Sequence, residues 1–69
     1  MTYLKILMYA RKGIRAEINH IREMQDKTLE GAGANAAARR LADELQEKID
    51  ALEVDLETIN ELQEIHDRE

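Results

Sequence analysis

The stretch LADELQEKIDALEVDLETINELQEIH, residues 41–66, decides the fold. One line of apolar positions runs through Ala42, Ile49 and Leu56 to Gln63. A second runs through Leu45, Leu52 and Ile59 to His66. The spacing alternates three and four, which is the seam of a coiled coil. Leu41, Leu62 and Ile65 widen the stripe at its ends, which suits a bundle better than a two-stranded coil. The seam therefore predicts a helix over about residues 35–67.

Upstream of it lies Glu30-Gly31-Ala32-Gly33-Ala34-Asn35, a turn at residues 31–34. Gly31 suits a left-handed helix C-cap, and Asn35 can accept from the first amides of the next helix. Before the turn, residues 3–29 read as a first helix. Leu4, Leu7, Ile14, Ile18, Ile21 and Met24 form its stripe, with Thr28 and Leu29 at the end. Arg11, Glu17 and Gln25 interrupt or flank that stripe. Tyr3, Ile6, Tyr9 and Ala10 make a second apolar face near the start. Gly13 costs about 1 kcal/mol relative to Ala inside a helix and marks a break, a kink or a close crossing. Two long helices and a short loop predict an all-α antiparallel hairpin occupying residues 1–69 as one domain.

Charge orients the pair. Residues 1–22 carry Lys5, Arg11, Lys12, Arg15 and Arg22 against Glu17 alone. Residues 41–69 carry eleven acids against Lys48 and Arg68. Folding at the glycine turn sets the basic start beside the acidic end, and Glu23, Asp26 and Glu30 near Arg39 and Arg40. This layout opposes both helix macrodipoles, so pairing explains it better than local helix stability does.

The chain has 69 residues with no Cys, so neither disulfides nor a thiolate zinc site can brace its small core. Oligomerisation is the remaining brace. The expected state is a homo-oligomer, most simply a dimer forming a four-helix bundle. The interface is expected at Tyr3, Leu4, Ile6, Leu7 and Tyr9, with Leu45, Ile49, Leu52, Leu56 and Ile59. Residues 1–10 are too few to span a bilayer and no signal-peptide cleavage site follows, so a cytoplasmic protein without a membrane role is expected.

Candidate chemistry is sparse. Ser is absent as well as Cys, which excludes Ser/His/Asp and Cys/His nucleophile systems, and no enzyme activity is expected. No cofactor is implied. Arg39 and Arg40 after the glycine turn, or Arg11 and Lys12, are candidates for an anion such as a nucleotide, although internal ion pairs are the favoured reading of both. Glu17 and His20 form a Glu-x-x-His pair. Two copies with Glu44 or Glu47 would suit a di-metal bundle, and a solvated face is the simpler reading. The net charge of −5 argues against nucleic-acid binding. The acids of the second helix form a solvated face or a docking surface for a basic partner.

Tyr3-Leu4, Ile14-Arg15 and Lys48-Ile49-Asp50-Ala51-Leu52-Glu53 carry a resemblance. Their order resembles the helical N-terminal half of phage-encoded, sigma-factor-like transcriptional regulators of Gram-positive bacteria. A helix-turn-helix follows in that group and is not among residues 1–69. The resemblance thus implies a helical oligomerisation role without direct DNA reading. It also implies a phage or mobile-element origin, where compact helical proteins bind and inhibit host proteins.

Overall fold

The computed structural model describes residues 2–31, 33 and 35–68. It contains two helices, α1 (Tyr3–Glu30) and α2 (Ala36–Arg68), which pack against each other. The expected hairpin is the observed one. The Cα envelope measures 53 × 17 × 11 Å, so the molecule is a single layer of two helices. No helix among the described residues is long and apolar enough to cross a membrane.

Local chemistry sets the helix ends. Thr2 caps α1, its hydroxyl accepting from the Lys5 amide at 3.4 Å. The Asn35 carboxamide oxygen accepts from the amides of Ala37 at 2.9 Å and Ala38 at 3.3 Å, as its position predicts. The left-handed conformation expected at Gly31 is not found there. Gly31 is right-handed at φ −86°, and its amide donates to the Lys27 carbonyl at 3.2 Å. Gly33 takes the left-handed conformation, at φ 54°. Closing the last turn of α1 keeps Gly31 helical, so the reversal falls two residues later. Ala32 and Ala34 of the expected turn lie outside the described residues.

The core forms where the two seams meet. Leu7, Ile18 and Ile21 of α1 and Ala42, Leu45, Ile49 and Ile59 of α2 are buried, and Ile49 is fully so. Ile14 and Leu52 pack against the cluster of Ile18, Ile21, Leu45 and Ile49. The α1 stripe differs from the expected one. Leu4, Leu7, Arg11, Ile14, Ile18, Ile21, Gln25 and Thr28 are covered, again spaced by three and four, and Ala10 is partly covered beside them. Gln25 holds the seam position assigned to Met24, which is 38% exposed, and Arg11 belongs to the seam too. Helix α1 continues through Gly13, so the break raised there does not occur. A Cβ built on Gly13 meets nothing within 4 Å, so the hairpin itself makes no close crossing there.

Candidate interaction surface

Seam, flanks and backs of the two helices divide the functional candidates. Leu4 and Leu7 lie on the α1 seam. Leu45, Ile49, Leu52, Leu56 and Ile59 lie on the α2 seam and face α1 of the same chain. Tyr3, Ile6 and Tyr9 stay exposed, Tyr9 most of all at 61%. The Tyr3 ring meets His66 of α2 with centroids 5.1 Å apart and planes tilted by 47°. His66 therefore ends the seam as an aromatic contact.

Two polar layers cross the seam. Near the open end, the Arg11 guanidinium donates through Nη2 to the Gln63 carboxamide oxygen, while its Nε is buried without a partner. Near the turn, Gln25 donates through Nε2 to the Ala42 carbonyl at 3.1 Å and to Gln46 at 3.0 Å. Gln46 in turn donates to Asp50 at 2.9 Å. Hydrophobic periodicity passed over Arg11 and Gln25, because their partners sit on the other helix. Their spacing of seven from Ile18 was the available signal.

One flank of the seam is polar. Arg22 Nη2 meets Glu53 Oε1 at 2.9 Å, with both side chains about half exposed. Arg11, Arg15, Asn60, Gln63, Glu64 and Asp67 line one open groove further along. The basic start of α1 thus lies beside the acidic end of α2, as the charge pattern predicts. Arg22–Glu53 is the one ion pair within 4 Å among the described residues. The pairing expected between Glu23, Asp26 or Glu30 and Arg39 or Arg40 does not form. By the seam spacing, Glu23, Glu30 and Arg40 fall on the outer backs of their helices, away from the partner helix.

The opposite flank is largely apolar at its open end and mixes apolar and charged residues near the turn. On α1 it carries Tyr3, Ile6, Ala10, Gly13, Glu17, His20, Met24 and Lys27, spaced alternately by three and four. On α2 it carries Leu41, Glu44, Lys48, Ala51, Asp55, Thr58, Leu62 and Ile65. Glu17, Ile21, Lys48, Ala51 and Leu52 line one groove there, which places the two stripes side by side. Ile6, Leu41, Leu62 and Ile65 are all exposed. Met8 and Leu29 lie on the polar flank, and Tyr9 and Val54 on the helix backs.

The anion and metal candidates are dispersed. Arg11 and Lys12 share an open groove with Met8, Arg15, Ala16 and Asn19 on α1. Arg39 and Arg40 stand near the start of α2 at the other end of the rod. Glu17 and His20 are exposed on the apolar flank, and no group of three or more metal-ligating side chains assembles among the described residues of one chain.

These features define an antiparallel coiled-coil hairpin, one layer thick, with one polar and one apolar flank. Comparison with protein-family models, with curated proteins and with solved structures returns no match to the chain.

Proposed function

We propose that this chain is a non-enzymatic binding protein that self-associates as a helical bundle and engages another macromolecule in the cytoplasm. The observation that carries this reading is the division of the surface. The seam is filled from within the chain, yet an apolar flank and, on the other side, the acids of the outer polar face of α2 remain exposed. An open, two-helix rod offers grooves lined by side chains already engaged in packing and polar pairing. Without Ser or Cys, these grooves hold no hydroxyl or thiol of the usual nucleophilic systems. The resemblance to phage-encoded regulators makes a host protein the most concrete partner, with inhibition as the outcome. A basic partner surface would suit the acids on the outer side of α2, chiefly through association rate and orientation.

In vivo photo-crosslinking from the outer polar face of α2 tests this. A host protein captured at Glu57 or Glu61, and lost when Glu57, Glu61 and Glu64 are changed to Lys, supports the reading. Failure to capture any protein that depends on those acids overturns it.

A second reading is favoured by the α1 groove that gathers Arg11, Lys12 and Arg15 beside Asn19. Three cations in one groove suit an anionic small ligand such as a nucleotide. Calorimetry with a nucleotide panel decides it: heat that disappears in Lys12→Glu supports the ligand, and no heat removes it.

A further inference from the structure

We infer that the apolar flank is covered by a second copy of this chain, two hairpins stacking flank to flank into a two-layer, four-helix body. This names the self-association surface and rests on the self-associating part of the proposal above. Three observations carry it.

The first is area. A compact monomer of 8.0 kDa exposes about 4,450 Å². This hairpin exposes 5392 Å². The excess is roughly 900 Å², and a standard interface removes about 800 Å² from each partner. The second is layering. Stable domains bury the apolar faces of their elements between two layers, and this molecule, 11 Å thick in its Cα trace, has one. A second hairpin supplies the missing layer.

The third is Gly13. Nothing inside the hairpin requires a glycine there, since the helix is regular and a Cβ would meet open space. The residue nonetheless weakens α1. It lies in the middle of the flank, between the Tyr3–Ile6 cluster and Met24. A missing Cβ at that place admits the backbone of a facing helix. The flank is also compatible with its own copy in charge, because Lys48 stands among Glu17, Glu44 and Asp55. The polar flank, by contrast, already satisfies much of itself through Arg22–Glu53 and Gln46–Asp50.

Sedimentation equilibrium of the full chain across the micromolar range tests the inference. The expected wild-type mass is twice 8.0 kDa. Ile6→Glu with Leu62→Glu places two charges per chain in the contact and should weaken dimerisation about a hundredfold or more. Both residues lie outside the seam, and circular dichroism reports whether the helices persist. Gly13→Leu is the second variant: leucine strengthens the helix, so its helical signal should hold or rise while the dimer weakens. Glu23→Ala, on the outer back of α1, should leave the mass unchanged. The inference is overturned by a wild-type mass of 8.0 kDa throughout. It is equally overturned by dimers that both flank variants leave intact, or by a dimer lost only in Glu23→Ala. A monomer throughout also removes the self-association proposed above, whereas a dimer that both flank variants leave intact removes only the flank assignment; neither outcome touches capture at the outer polar face of α2.

Discussion

Arg11 and Gln63 face each other across the seam, the guanidinium donating to the carboxamide oxygen over 52 residues of chain. Both occupy positions that apolar residues would fill with a larger gain in burial. A polar pair at a seam position favours one register, because any slip leaves both groups without partners.

Gln63→Leu alone should therefore lower stability by about 1–2 kcal/mol, since it strands a partly buried guanidinium. Arg11→Leu with Gln63→Leu should recover that loss and raise the thermal midpoint above wild type. Thermal unfolding followed by circular dichroism checks both. A single variant as stable as the double one would show that the pair is not coupled.

Among the described residues, Ile49 is the one large side chain wholly removed from solvent. Ile49→Ala should cost about 2–5 kcal/mol, enough to unfold a hairpin of this size at ambient temperature. Val54→Ala, at a site 59% exposed, should change stability by less than about 0.5 kcal/mol. Urea midpoints for the two variants should differ accordingly.

The turn glycines should respond unequally. Gly33→Ala forces a side chain into left-handed backbone at φ 54° and should cost about 1 kcal/mol. Gly31→Ala should be tolerated, because its φ is −86° and the nearest atom to a new Cβ, the Lys27 carbonyl oxygen, lies at an ordinary 3.7 Å. Equal losses at both sites would refute the assignment of the reversal to Gly33.

Arg22 and Glu53 make a geometrically good but exposed pair, with side chains 55% and 48% accessible. A double-mutant cycle with alanine should give a coupling of about 0–1 kcal/mol. That coupling should shrink further in molar salt, where screening reaches within a few ångströms. A larger, salt-insensitive value would mean that the pair is covered in the native assembly.

The α2 seam, the hairpin and the Asn35 cap were legible in the sequence because each depends on local spacing or on a side chain's own backbone. The α1 seam was only half legible. Apolar periodicity registers Leu7, Ile14, Ile18 and Ile21, but it cannot know that Arg11 reaches Gln63 or that Gln25 reaches the Ala42 carbonyl. Met24 looked like a seam residue because it continues the apolar run, and it lies one position to the side of Gln25. The surface candidates were legible as residues but not as places. Tyr3, Ile6, Leu62 and Ile65 share a flank only once the two helices are set antiparallel.

The position of the turn has a kinetic consequence. Contacts near it join residues close in sequence, as with Gln25 and Ala42, 17 apart, whereas Arg11 and Gln63 at the open end are 52 apart. Loop-closure entropy rises with that separation, so the pair zips from the turn and frays from the other end. Amide exchange should then be fastest in the segment that carries Tyr3, Ile6, Leu62 and Ile65. Whatever rests on that segment clamps the zipper at its loosest point, and its arrival or departure sets how long the hairpin survives between openings.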